Sequence, residues 1–258
     1  MNRSFTIGTD PEFFILGRDT QKGKKAADFT PGTKDDVEDL KNGYAVHADN
    51  VMLELNIPPA TSKKGFINNI LVGKSKLQDI IGDDFLSVVP SMTFEKEDLK
   101  EDHDWEIGCD PDLSAYTKNE NPKIEFKDGV RYAGGHVHVG LPPELSEDMD
   151  VVVDMVKAMD YLFLDMVVRE DNNQSRKDIY GTPGRFRFKD YGFEYRSLSN
   201  FWLKDIVKMG RVYDIVQEVV NNYKKYLGEK YEKIVFDSFQ TTQVKEETTI
   251  QEVQEINA

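Results

Sequence analysis

In its second half the segment Tyr44 to Ile57 alternates cleanly, with Val51, Leu53, Leu55 and Ile57 on one face of an extended strand and Met52, Glu54 and Asn56 on the other. Glu54 is thereby assigned to the face turned away from the core. Pro58-Pro59 ends the strand, and from Thr61 to Ile81 the period changes. Phe66, Ile67, Ile70, Leu71, Leu77 and Ile81 recur near helical spacing, which predicts a packing helix ending at Gly82. Upstream, the apolar runs Phe5 to Ile7 and Phe13 to Leu16 flank Gly8-Thr9-Asp10-Pro11-Glu12, predicting a bent or bulged strand with acids at its middle. Gly17 to Lys41 reads as a polar loop.

Phe85 to Phe94 and Trp105 to Ile107 look like strands, with the acidic stretch Glu95 to Asp104 as a solvated turn between them. From Lys123 the pattern predicts a hairpin, with Lys127-Asp128-Gly129 as its turn and Val130 to Val139 as the returning strand. Ser146 is placed to cap a helix reaching about Arg169, along which Val152, Met155, Val156, Met159, Leu162, Phe163 and Met166 form a methionine-rich stripe suited to a core. Glu170 to Asp190 reads as a basic, polar loop. Phe193-Glu194-Tyr195-Arg196 alternates as a strand does, and Ser199-Asn200 leads into a last helix, Lys204 to Leu227, stopped by Gly228. Beyond about Phe236 the chain is rich in Thr, Gln and Glu. The expected organisation is one main domain over residues 1–236 and a polar, acidic C-terminal extension over 237–258.

Composition narrows the function. With 258 residues and 39% apolar content the chain can bury one large core. Met1 to Phe14 lacks the basic-then-apolar order of a signal peptide, and no run approaches the roughly 18 apolar residues of a membrane span. A cytoplasmic protein without membrane contact is expected. Cys109 is the single cysteine, which excludes an internal disulfide and a cysteine-rich zinc site. A net charge of −14 disfavours nucleic acid as a partner, and some of that acid is available to hold cations.

Candidate chemistry lies on residues spaced two apart. Asp10 and Glu12 project from one face of an extended chain and can converge on a hard divalent cation, or form an ordinary acidic turn about Pro11. His136 and His138 likewise share a face. Gly134, Gly135 and Gly140 beside them permit close approach of a ligand or of backbone, and a pair of structural histidines is the other reading. No histidine follows His138, and His47 and His103 have no zinc spacing, so cupin-like and zinc-hydrolase sites are disfavoured. Glu194 and Arg196 again lie two apart, preceded by Arg185 and Arg187. A carboxylate can ligate metal while guanidinium forks hold phosphate or carboxylate, although a surface ion-pair ladder has the same pattern. Gly73-Lys74-Ser75 is no P-loop, because Asn68 stands where its first glycine would be, and no Gly-x-Gly-x-x-Gly follows a strand. Ile7-Gly8-x-Asp10-Pro11-Glu12 is echoed by Ile107-Gly108-x-Asp110-Pro111-Asp112, two copies being too short to establish a repeat.

Taken in order, Asp10-x-Glu12-Phe13, Glu54-x-Asn56, Gly-Gly-His136-x-His138, Arg185-x-Arg187 and Glu194-x-Arg196 resemble the glutamine-synthetase-like carboxylate-amine ligases, in particular the phage-type group of small amidoligases. The resemblance spans most of residues 5–200. It implies an α+β fold, with a curved, mainly antiparallel sheet whose concave face holds ATP and Mg2+ (or Mn2+) and helices packed on its outer face. It also implies that Asp10, Glu12, Glu54, His136 and Glu194 are metal ligands, the larger family usually having glutamate at the first of these places. By the same resemblance His138, Gly134, Gly135 and Arg187 meet the nucleotide, and Arg185, Arg187 and Arg196 stabilise the transferring phosphoryl group and bind the substrate carboxylate. The activity so implied is ATP-dependent joining of a small-molecule or peptide carboxylate to an amine through an acyl phosphate, in the host cytoplasm if phage-encoded. The rival expectations are a guanidino-kinase-like phosphotransferase and a non-catalytic ligand-binding relative.

Overall fold

The bent strand at the start of the chain divides at Asp10-Pro11, since proline has no N–H for a sheet ladder. Its halves, β1 (Thr6–Thr9) and β2 (Glu12–Leu16), join different sheets. The computed structural model describes residues 3–99, 112–122, 128–171, 173–177 and 179–239. The further strands are β3 (Gly23–Lys24), β4 (Glu38–Asp39), β5 (Ala45–Asp49), β6 (Met52–Asn56), β7 (Phe85–Ser87) and β8 (Ser91–Thr93), then β9 (Leu113–Ser114), β10 (Val130–Tyr132), β11 (Val137–Gly140), β12 (Arg185–Lys189) and β13 (Gly192–Tyr195). The helices are α1 (Lys63–Ile81), α2 (Pro143–Ser146), α3 (Met149–Glu170), α4 (Gln174–Lys177) and α5 (Ile206–Asn222), and a further helix covers 229–239.

One sheet has the order β1-β11-β13-β12-β9 and a second β3-β2-β6-β5-β4 with β7 also on β2, while β10 pairs with β8. The pairings are antiparallel. The two large sheets meet at the proline break. There the Glu12 N–H donates to Gly134 O and the Leu55 N–H to Pro11 O, both at 3.1 Å, and Ile7 and Ala60 exchange bonds of 2.9 and 2.8 Å. The fold is thus mixed α and β with curled antiparallel sheets, as expected at that level. Val137, Val139, Phe193 and Tyr195 bury one face of the first sheet in the core that holds Met155, Met159 and Phe163 of α3, and Phe163 stacks on Tyr195 at 5.6 Å between centroids. The methionine stripe is core. On α1, Phe66 stacks on Trp202 at 6.0 Å. No helix among the described residues is long and apolar enough to cross a membrane.

Several elements differ from expectation, each for a local reason. Tyr44 to Ile57 is a hairpin rather than one strand, turned by Asn50 at φ 55°, a left-handed conformation that asparagine tolerates. Phe85 to Phe94 splits into β7 and β8, which pair with different partners. Val130 to Val139 is likewise broken. Its first part pairs with β8, and the backbone between is committed to a Gly134–Ser199 bridge and a 3.0 Å bond from the Gly135 N–H to Leu198 O. The long helix is capped by Asp148, whose carboxylate accepts from the N–H groups of Asp150 and Val151, whereas Ser146 ends the short helix that Pro143 begins. Arg185 and Arg187 lie on strand β12 rather than in a loop. The last long helix starts at Ile206 under an Asp205 cap, residues 200–204 being a 3-10 turn. The expected strand at Trp105 to Ile107, residues 100–104 of the acidic turn and the strand leading into the Lys127 turn lie outside the described residues.

Gly135 is demanded by packing. A Cβ there would lie 2.4 Å from Ser199 O, 2.6 Å from Trp202 Nε1 and 2.9 Å from Asn200 Cα. The Trp202 indole N–H also donates to Gly135 O at 3.0 Å, which holds the two segments together. Gly135→Ala is expected to cost about 1–3 kcal/mol, the usual penalty for overpacking a filled site. Thermal unfolding of the variant checks this, and an unchanged midpoint would show that the segment can shift aside.

Candidate functional site

Two cross-strand rows carry the polar residues. In the first sheet Gly8, His138, Glu194 and Arg187 stand directly opposite one another across β1, β11, β13 and β12. In the second, His47, Glu54 and Glu12 do so across β5, β6 and β2. Residues opposed in this way project from the same face. Asp10, at the break between β1 and β2, lies where the two rows approach each other.

The first row ends in a cluster around Asp10. His138 Nε2 lies 2.9 Å from Asp10 Oδ2, and His136 Nδ1 lies 3.3 Å from Asp10 Oδ1 and 3.4 Å from Glu194 Oε1. Glu194 is fully buried, and it contacts Arg196 Nη1, with Lys189 Nζ at 3.1 Å and Arg187 Nη1 at 3.8 Å from its Oε2. Asp10, His138 and Glu194 each offer one ligand atom, all within 4.8 Å of one another. A second group with the same property is Glu12, Asp49 and Glu54. His47, buried, brings Nε2 to 3.7 Å from Glu54 Oε2, and its Nδ1 has no hydrogen-bond partner among the described residues.

The charge balance is unusual on both sides. Burial and the neighbouring Asp49 carboxylate push Glu12 up to about 8, although the Gly134 N–H donates to its Oε2 at 2.6 Å. Burial is the largest influence and opposes ionisation of Glu194, but the Arg196 guanidinium together with His136 and His138 outweighs it and holds the group at about 2. For Asp10, burial is overcome by the charge of His138 and by contacts with both histidines, leaving it well below the usual carboxylate range. His136 is lowered by burial and by Arg196. His138 is raised, because Asp10 more than offsets its burial.

These donor sets suit divalent cations. Asp10 Oδ1 and Glu194 Oε2 are buried and accept no hydrogen bond from the described residues, and carboxylate oxygens supplemented by imidazole are hard-to-borderline ligands of the kind Mg2+ and Mn2+ accept. A cation among Glu12, Asp49 and Glu54 would also relieve the repulsion that raises Glu12. All five residues that the resemblance gave as ligands stand at the two clusters, with Asp10, Glu194 and the nearby His136 at one and Glu12 and Glu54 at the other. His138, expected at the nucleotide, is the histidine grouped with Asp10 and Glu194.

The arginines divide by what holds them. Arg185 Nε and Nη2 donate to the two oxygens of Asp112 at 2.9 Å each, and its Nη1 donates to Ile179 O at 2.6 Å. Asp112, buried, also accepts from Asn121 at 2.9 Å and lies 3.4 Å from Arg196 Nε. Arg187 and Arg196 are the two that face Glu194. Gly134 lies against the His136 ring, where its Cβ would come within 2.4 Å of Nε2.

Beside Asp10 and His138 opens a cavity of about 310 Å3. Gly8 and Gly140 line it from the strands, Ile57 and Pro59 from beyond β1, and Tyr191 from the β12–β13 turn, with Asn56 contributing an amide. Its size falls in the range of small-molecule sites, and most of these groups are uncharged.

Asp49, His47 and Tyr191 are site-facing residues that sequence reasoning missed or left without a role, while Asp112, which the resemblance offered loosely as a ligand or amine-side group, is bound by Arg185. For the first two a signal existed, since His47-x-Asp49 has the same spacing of two as Asp10-x-Glu12, His136-x-His138 and Glu194-x-Arg196.

Residues 114–248, more than half of the chain, match the family described as phage phiEco32-like COOH.NH2 ligase-type 2. The matched region contains His136, His138, Arg185, Arg187, Glu194 and Arg196, while Asp10, Glu12, Asp49 and Glu54 precede it. No curated protein and no solved structure matches the chain.

Proposed function

Because this chain belongs to the phage phiEco32-like COOH.NH2 ligase type 2 family and is therefore a carboxylate-amine ligase, we propose that it drives amide formation with ATP and two divalent cations on a glutamine-synthetase-like concave face. The observation that carries this reading is the pair of ligand clusters, Asp10-His138-Glu194 and Glu12-Asp49-Glu54, set on either side of one proline break and flanked by Arg187 and Arg196. One cluster adjoins the cavity, which suits an uncharged nucleobase, with phosphates reaching toward Asp10 and His138.

In this scheme the substrate carboxylate attacks the terminal phosphorus of ATP, releasing ADP and leaving an acyl phosphate. The ammonium gives one proton to a carboxylate of the site, and the resulting amine attacks the acyl carbon and expels inorganic phosphate, which takes the second proton to leave the neutral amide. Bound cations would supply neutralisation of the phosphate oxygens. The chain contributes positioned charge. Arg196 and Arg187 are held by Glu194 with their guanidinium groups at the cluster, where they face charge that builds on the transferring phosphoryl group. Arg185 supports Arg196 through Asp112, which it holds beside that residue.

Hydroxylamine trapping tests the scheme. With ATP, Mg2+ and a panel of amino-acid, peptide and cell-wall-derived carboxylates, the protein is expected to form a hydroxamate together with ADP. ADP and a stable phosphorylated product without hydroxamate would indicate phosphoryl transfer alone, and absence of both across the panel would defeat the proposal.

A further inference from the structure

Tyr191, in the turn between β12 and β13, serves two neighbours at once. Its ring stacks on the His138 imidazole with centroids 6.0 Å and planes 29° apart, and its hydroxyl is hydrogen-bonded to His138 Nδ1. The same residue lines the cavity beside the cluster. Its backbone is anchored, since the Leu141 N–H donates to Tyr191 O at 2.8 Å, while the residue as a whole stays 45% exposed.

The other nitrogen of His138 points the opposite way. Nε2 is buried and 2.9 Å from Asp10 Oδ2, within ion-pair distance but without hydrogen-bond alignment, and His138 is one of the three residues, with Asp10 and Glu194, grouped closely enough to hold a cation. An imidazole that offers one nitrogen to a cation carries its proton on the other, and the group that accepts this proton sets both the tautomer and the ring plane.

Building on the metal-site reading above, we propose that Tyr191 is a positioning residue for His138. Its Oη accepts the Nδ1–H and so leaves Nε2 as the ligand atom. Because the holder is also part of the cavity lining, whatever fills the cavity touches the ring that orients a metal ligand. Tyr191 therefore couples the cation site to the occupant of the pocket.

Mn2+ titration of the full-length protein, followed by the electron paramagnetic resonance signal of the free ion, tests this. Tyr191→Phe keeps the ring and removes the hydroxyl. It is expected to weaken one Mn2+ site by about 10- to 100-fold and leave the other unchanged, the usual size of losing a histidine's outer partner. In 15N-correlated spectra, His138 is expected to pass from a single Nδ1–H tautomer in the wild type to a mixture in the variant. In a His138→Gln background the same change is expected to add less than about twofold, because the residue it orients is gone.

Mn2+ affinity in Tyr191→Phe within about twofold of the wild type, with an unchanged tautomer, overturns the inference. So does an equal loss in the His138→Gln background, which would place the effect of Tyr191 elsewhere. Wild-type protein that binds no Mn2+ overturns the metal-site reading itself, and this inference with it, and is recognised separately by needing no variant.

Discussion

Replacing Glu194 by glutamine is expected to reduce ligase turnover by about 10²- to 10³-fold, the loss typical of removing one preorganised electrostatic group from a reaction centre. Glu194 is fully buried, belongs to the ligand group with Asp10 and His138, and contacts Arg196 while standing within 4 Å of Arg187 and Lys189. Glutamine fills the same space but carries no charge. It would weaken one cation site and leave three basic side chains facing each other with less compensation. Steady-state kinetics at saturating ATP, paired with metal titration and circular dichroism, check the prediction. A folded Glu194→Gln protein with activity within tenfold of the wild type would remove Glu194 from the reaction centre.

Arg185→Met is expected to destabilise the fold by about 3–5 kcal/mol, the range seen when one member of a buried ion pair is removed. Both oxygens of Asp112 are taken by Arg185, so the variant leaves a buried carboxylate whose remaining partners among the described residues are Asn121 and Arg196. Adding Asp112→Leu removes that stranded charge and should restore much of the loss, since apolar replacement of a whole buried pair is often close to neutral. Arg187→Met, two residues away, should behave differently. Its guanidinium lies 3.8 Å from Glu194, which keeps the closer Lys189 and Arg196 as partners, so activity is expected to fall with little change in unfolding midpoint. Urea unfolding of the three proteins separates these cases. Equal destabilisation by Arg185→Met and Arg187→Met would contradict the division between a supporting and a reacting arginine.

How much of this was legible in the sequence depended on the range over which each feature is decided. The alternation of Leu53, Glu54 and Leu55 placed Glu54 correctly on the site face, because successive side chains of a strand must point to opposite sides. Continued backward through the same pattern, Asp49 would share the core face with Val51. The hairpin turn at Asn50 reverses that parity. In β5 His47 and Asp49 face the site while Val46 is buried, and the register sets His47 against Glu54. One left-handed residue therefore hid the place of Asp49 beside Glu12 and Glu54. Arg185 and Asp112 stand 73 positions apart, and no local period links them.

By itself, the sequence determined the long helices, the proline break carrying Asp10 and Glu12, and the pairs His136-x-His138 and Glu194-x-Arg196. Each depends on spacing along a few residues, where backbone geometry dictates direction. Only the tertiary structure decided which acids and histidines come together, that His138 rather than His136 is grouped with Asp10 and Glu194, and that Arg185 is occupied by Asp112 while Tyr191 is hydrogen-bonded to His138. Those outcomes depend on which strands become neighbours and in what register. Packing of the whole core settles that, through contacts between residues far apart in the chain.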